Sequence, residues 1–196
     1  MSTQSHVFPL CDQPSDRDMD LALVRQLVAD PTADSTEEIT QMSLAHAQFL
    51  NHGGGGGVWQ MLSVAGLPLC IYMGPEVSSG TQMVLRLKNV QGASLIDAQL
   101  DFADMSGACV QGVDFSGSSM RHVMAIDSIF DGATFAGCDL SHTDFSGASL
   151  EGANFEGADL TGVDFEKANL TGANFKGATL TDTRFPGAKL DGVRTP

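Results

Sequence analysis

The sequence predicts an all-β solenoid in its second half, entered through an α+β segment that caps it. Three observations carry this reading. From Ala93 to Val193 an apolar centre recurs at every fifth position, twenty times and without an insertion. A small residue, most often Ala, stands two positions before each centre, and Gly stands two positions after most of them. The first ninety residues do not carry this spacing. A period of five matches neither the 3.6 of a helix nor the 2 of an ordinary strand. It matches a coil of short equivalent sides, each sending one large and one small side chain inward.

The centres are Leu95, Leu100, Met105, Val110, Phe115, Met120, Ala125, Phe130, Phe135, Leu140, Phe145, Leu150, Phe155, Leu160, Phe165, Leu170, Phe175, Leu180, Phe185 and Leu190. The stretch from Gly152 to Leu160 repeats the pattern A-[DN]-[LF]-x-G without error. Over about residues 91–193 the chain therefore resembles the pentapeptide-repeat protein family. The resemblance implies a right-handed quadrilateral β-helix with four repeats to a coil. With four sides, positions twenty apart fall in columns, and Phe collects on one opposed pair (Phe115, Phe135, Phe155 and Phe175 against Phe145, Phe165 and Phe185) while Leu collects on the other. The repeats then make about five coils, a rod roughly 24 Å long at a strand spacing of ~4.8 Å. Gly after each centre suits a corner with φ > 0.

The N-terminal part divides at its glycine run. Residues 1–57 read as a helical segment ending in a hinge: apolar residues at helical spacing over 16–29, a stop at Pro31, then a capping box at Ser35-Thr36-Glu37-Glu38. Ile39, Met42, Leu44, Ala45 and Phe49 follow as one apolar face of a helix over about 36–50, and Gly53 to Gly57 end it as a flexible hinge. Residues 58–90 read as a β cap of three short strands, around Val58–Val64, Leu69–Tyr72 and Val84–Leu87, parted by Ala65-Gly66-Leu67-Pro68 and by 74–80. The last strand leads into the solenoid of 91–196. A solenoid end exposes apolar core and unpaired strand edges, so a cap is required. At the other end the chain stops at Val193-Arg194-Thr195-Pro196, which leaves Leu180, Phe185 and Leu190 for a second copy to cover. The resemblance implies a homodimer through this C-terminal coil, although Pro186 and nearby bases could protect a free edge.

One stretch departs from the repeat. Ala125 is too small for its centre, and Met120, Met124, Ile126 and Ile129 surround it with apolar side chains, three of them at outward positions. This predicts a void or distortion and a small exposed apolar patch, a first candidate for protein binding. Cys138 takes a small inward position and reads as core, and Cys109 reads as outward. No C-x-x-C occurs among the four cysteines, so neither a zinc site nor a disulfide framework is expected.

Catalytic chemistry has little to stand on. The glycine run lacks the Lys-Ser/Thr and the following helix of a phosphate loop, since Val58 and Trp59 follow it. His122 and His142 lie twenty apart and should stack on one corner, but two ligands do not make a metal site. The carboxylates are periodic and outward, unlike a tuned acid–base pair. Neither an enzyme nor a cofactor is expected. The N-terminus carries no basic-then-apolar leader and no apolar run reaches the ~20 residues of a membrane helix, so a cytoplasmic protein without membrane contact is expected.

Charge is the informative surface property. The net charge is −14, with −5 on residues 1–90, −11 on 91–170 and +2 on 171–196. Asp139 should stand over Asp159 and Asp144 over Asp164, giving rows of carboxylates that repel nucleic acid and attract a protein partner. The candidate protein-binding residues are therefore Asp139, Asp144, Asp159, Asp164, Met124, Ile126 and Ile129. The leading expectation is a non-catalytic protein-binding or scaffold protein. The alternative, implied by the resemblance, is a DNA mimic that binds DNA gyrase or topoisomerase IV. Against it, no loop interrupts the repeats, and about ninety residues precede them.

Overall fold

The computed structural model describes residues 36–55, 58–64, 67–73, 83–85, 90 and 93–195. The expected helix over 16–29, Ser35 of the capping box and Leu87 lie outside these residues.

The repeats wind into a four-walled coil. Parallel bridges join positions twenty apart, from Val84↔Asp104 through Asn174↔Arg194. Each mid-rod strand bonds both neighbouring coils: the Phe135 amide donates to the Asn154 carbonyl at 2.7 Å, and the Thr134 amide donates to the Val113 carbonyl at 3.0 Å. Backbone groups are thereby satisfied between coils, as burial demands. At each corner the chain turns with φ > 0 at the third residue, which explains the glycine there. At Gly152 φ is 66°, and Ala153 closes the turn by donating to the Leu150 carbonyl at 3.1 Å.

The walls are named here by their centres: wall A carries Phe115, Phe135, Phe155 and Phe175; wall B carries Met120, Leu140 and Leu160; wall C carries Met105, Ala125, Phe145 and Phe165; wall D carries Val110, Phe130, Leu150 and Leu170. All of these centres are buried. Coil spacing matches ring stacking, so Phe135 lies parallel on Phe155 at 5.0 Å and Phe145 on Phe165 at 5.6 Å. Across the core, Phe135 and Phe145 meet edge to face at 5.8 Å. Truncating one such ring to Ala costs about 3–5 kcal/mol.

The columns begin earlier than residue 91. Leu85 and Val90 are fully buried, and their amides donate to the Asp104 and Cys109 carbonyls at 2.6 and 2.9 Å. Both positions keep the multiple-of-five spacing. The expected distortion at Ala125 is corrected: its amide bonds Asp144 at 2.9 Å, and the Met124 amide bonds Ala103 at 3.0 Å. The ladder and corners fix the backbone irrespective of the size of the centre, and flexible Met105 and Met120 flank the small residue in the core.

Helix α1 spans Thr36–Asn51, and strands β1 (Val58–Val64) and β2 (Leu67–Met73) pair antiparallel with Val58 opposite Met73. Leu67 and Pro68, expected in the turn, belong to β2. The face that α1 turns inward is Ile39, Met42, His46 and Phe49, a spacing of three, four and three. Leu44, expected on that face, is 55% exposed, and the buried polar residue on it is His46. Ile39 joins Met83 and Leu85 in the solenoid core, so α1 packs on the first coil.

Within the glycine run, expected as a flexible hinge, Gly54 and Gly55 lie packed against rings, and Gly56 and Gly57 lie outside the described residues. Gly53, at φ 87°, ends α1 in the left-handed conformation, and the Gly54 amide returns to the Phe49 carbonyl at 2.9 Å. A Cβ on Gly54 would sit 2.5 Å from the Phe49 ring, and one on Gly55 would sit 3.3 Å from the Phe102 ring. These glycines let the backbone lie on two aromatic faces.

At the far end the core opens. Leu180 and Leu190 are 36% and 47% exposed, and Phe185 is half-buried.

Candidate functional site

The residue before each centre points outward, and the walls treat it differently. On walls A and B no outward position is buried: Asp114, Thr134, Asn154 and Asn174 on A, and Ser119, Asp139 and Asp159 on B, all keep contact with water. On walls C and D the outward residues Asp104, Met124, Asp164, Cys109, Ile129 and Ser149 are buried.

This corrects two expectations. Met124 and Ile129 are 5% and 3% exposed and Ile126 is half-buried, so they do not form an exposed patch. Cys109, expected to point outward, is 6% exposed. The physical reason is common to these three: outward positions of walls C and D lose water contact over the middle of the rod, though Asp144 and Asn169 keep part of theirs, and Met124, Ile129 and Cys109 bring apolar side chains to such positions. Burial there stabilises by roughly 1.5–3 kcal/mol for each large side chain. Cys138 is in the core as expected, and burial pushes its thiol up to about 12.

Asp139 is bridged to Asp159 on wall B and Asp144 to Asp164 on wall C, but Asp164, expected to be solvated, is 4% exposed. The spacing did not reveal their second role. Each folds over its corner and accepts the amide two residues on: Ser141 to Asp139 at 3.1 Å, Ser146 to Asp144 at 2.9 Å, Thr161 to Asp159 at 3.0 Å and Glu166 to Asp164 at 2.9 Å. Asn154 and Asn169 do the same for Glu156 and Thr171. These are Asx turns, and they explain why Asp and Asn interchange at this position. The signal was legible as Ser or Thr two residues after Asp or Asn. At Asp114 the Ser116 hydroxyl and amide hold the carboxyl below its usual range.

The ridge between walls B and C holds the groups richest in chemistry. Phe102, His122 and His142 occupy one corner column at φ 61°, 56° and 60°. Their rings stack, Phe102 on His122 at 4.9 Å and His122 on His142 at 5.1 Å. Burial, and then the neighbouring His142, lower the His122 pKa to about 4. Beside the stack, the Asp101 carboxylate accepts from the Arg121 amide, Nε and Nη2 and from the Ser119 hydroxyl. This pair raises the Arg121 pKa. No cluster of three or more His, Cys, Asp or Glu among the described residues is arranged to hold a metal ion. No helix among them is long and apolar enough to cross a membrane.

Comparison with known proteins agrees on the repeat. The family model described as pentapeptide repeats matches in 8 copies over residues 89–121, 128–166 and 158–194. Proteins of that family fold as right-handed quadrilateral β-helices, and the four-walled coil described above has that architecture. No curated protein sequence matches. Among solved structures, the chain is similar to HetL, a pentapeptide repeat protein involved in heterocyst differentiation regulation from the cyanobacterium Nostoc sp. strain PCC 7120. That match has 24% identity over 57% of this chain and 61% of that one, with a TM-score of 0.36. A pentapeptide repeat protein of the Arabidopsis thaliana thylakoid lumen is 30% identical over 57% and 63%, with a TM-score of 0.32. QnrB1, a plasmid-mediated fluoroquinolone resistance protein, is 14% identical over 58% and 79%, with a TM-score of 0.40. The chain thus spans under two thirds of the length of the first two.

Proposed function

The chain belongs to the pentapeptide repeat family, and from that premise we propose that it is a non-catalytic protein-binding scaffold presenting a rigid acidic β-solenoid surface. The observation that carries this reading is the pair of open walls. Walls A and B keep their outward residues in water over consecutive coils, and Asx turns hold many of those side chains in place. A flat surface ordered in advance loses little entropy when a partner docks. Asp139 and Asp159 are its acidic centre, while Met124 and Ile129 act in packing and Ile126 borders the shielded side.

The test is affinity capture from the host with three baits: the full chain, the chain lacking residues 1–57, and Asp139→Lys/Asp159→Lys. A partner lost with the charge-reversed wall supports the reading. A partner lost only with residues 1–57 moves binding to the N-terminal segment.

The second reading, a DNA mimic acting on DNA gyrase or topoisomerase IV, is favoured by the carboxylate pairs on adjacent coils. Changing Asp139, Asp144, Asp159 and Asp164 together to Asn removes charge and keeps the Asx acceptors. Inhibition of supercoiling by the native chain at submicromolar concentration, lost in this variant, would put mimicry first. The acidic rod is not expected to bind nucleic acid directly.

We place the protein in the cytoplasm, where the buried free thiol of Cys138 stays reduced. Two copies pair through the exposed Leu180 and Leu190, and a monomer mass by light scattering at micromolar concentration would refute that pairing.

A further inference from the structure

His46 is fully buried between α1 and the first coil, and both of its ring nitrogens are used. The Met83 amide donates to Nδ1 at 2.8 Å, so Nδ1 carries no proton. The proton is therefore on Nε2, which lies 2.8 Å from the Asp101 carbonyl and donates to it. One bond ties α1 to the strand that opens wall C, and the other ties it to the ridge between walls B and C. Phe49 stacks on the imidazole at 5.6 Å, with Gly54 closed over the Phe49 ring. On the solenoid side, Phe102 holds Gly55.

This arrangement accepts one protonation state. A second proton would have to sit on Nδ1, pointing at the Met83 N–H, donor against donor, in a site without water contact. The carboxylate of Asp101, whose carbonyl holds Nε2, has no lone pair left for a second bond from the ring. Asp101 has four acceptor positions, and the Ser119 hydroxyl, the Arg121 amide, Arg121 Nε and Arg121 Nη2 fill them. Among the residues described in full, the other charged or titratable groups on the elements that meet here are Asp104 on the following strand, Arg121 and His122 on the ridge, and His52 just beyond α1. Arg121 and a charged His122 would repel an imidazolium rather than hold it.

We propose that His46 is a pH-sensitive latch. It docks α1 on the first coil only as the neutral imidazole, and acidification through the ordinary histidine range releases the helix and uncovers Ile39, Met83 and Leu85. The sign follows from proton counting. The released helix binds a proton that the docked helix excludes, so the docked form is at full strength above pH ~6.5. Below that, the docked fraction relative to the released one falls by up to about tenfold per pH unit.

The test is hydrogen exchange of the α1 peptide in the full chain between pH 7.5 and 5.5, corrected for intrinsic exchange, with peptides from 140–175 as internal reference. Protection of α1 should fall by several-fold to tenfold per unit below about 6.5, while the reference stays level. His46→Gln offers an oxygen to Met83 and an amide proton to Asp101 without titrating, so its α1 protection should not change with pH in this range. A level profile in the native chain would overturn the proposal. So would an unchanged slope in His46→Gln, which would make His122 the driver. Should that variant fail to dock at pH 7.5, nitrogen NMR of the native His46 ring decides: the Nε2–H neutral tautomer supports the latch, and the Nδ1–H tautomer or the imidazolium refutes it.

Discussion

Asp159 and Asp164 stand at the same position of consecutive repeats, Ala158-Asp159-Leu160 and Val163-Asp164-Phe165. Both cap their corners, accepting the amides of Thr161 and Glu166 at 3.0 and 2.9 Å. Yet Asp159, on wall B, is exposed, while Asp164, on wall C, is 4% exposed. One coil further on, Asp159 faces Thr179 and Asp164 faces Arg184, whose Nη1 lies 3.3 Å from its Oδ2. The repeat sets the backbone and the turn. The wall sets the solvent, and with it whether a carboxylate is a surface group or half of a shielded ion pair.

The sharpest way to break this contrast is to remove the cation. Arg184→Met leaves the Asp164 carboxylate shielded and without its cation, which should cost about 2–3 kcal/mol, below the range for a fully buried pair because the Arg184 side chain is 47% exposed. Lys176→Met is the control from an open wall. Its partner Glu156 lies 3.6 Å away with 49% of its side chain exposed, so the loss should stay under about 0.5 kcal/mol. Urea unfolding of both variants measures the difference. Equal losses would mean that wall C is as wet as wall A.

A smaller effect isolates what the walls share. Asp159→Ala removes the acceptor for Thr161, whose amide and hydroxyl both donate to it, and should cost about 1 kcal/mol. Asp159→Asn keeps an acceptor and should be neutral within about 0.5 kcal/mol. If the Asn variant loses as much as Ala, charge rather than the turn holds the corner. On wall C the two effects separate, because Asp164→Asn keeps the turn and still loses the pair with Arg184.

What the sequence disclosed and what it hid divide along the same line. The five-residue period exposed the core columns, the glycine corners and the stacking of Asp139 over Asp159, because every coil repeats those contacts at a fixed offset of twenty. Leu85 and Val90 were legible too, on the same multiples of five, but Leu87 stands where a glycine would follow Leu85 and disguised the start of the repeat. Shielding of Met124, Ile129 and Cys109 was not legible, since a period says which side chains point outward and nothing about what an outward wall meets. Nor was the docking of α1. His46 reads as a polar interruption of an apolar face until Met83 and Asp101, distant in sequence, supply its two partners. Gly54 and Gly55 read as hinge residues for the same reason, because the rings that exclude a Cβ there lie outside the run.

The smallest expected effect lies on the ridge where the two walls meet. His122 is half-buried there, between the Phe102 and His142 rings, and burial lowers its pKa to about 4. A base held below its ordinary value stabilises the fold as the neutral form. That contribution is complete above pH ~6.5 and is lost as pH falls from there toward about 4. Because the ring keeps part of its solvent contact, the loss should amount to only about 0.5–1 kcal/mol. Asn tolerates the left-handed φ of 56° at this position, so His122→Asn isolates the titration without straining the corner. The native chain should lose more stability than this variant between pH 7 and 4.5, and the His122 ring should titrate by NMR with a midpoint near 4. A midpoint above 6 would place the ridge in open water with wall B and move the start of the shielded surface onto wall C itself.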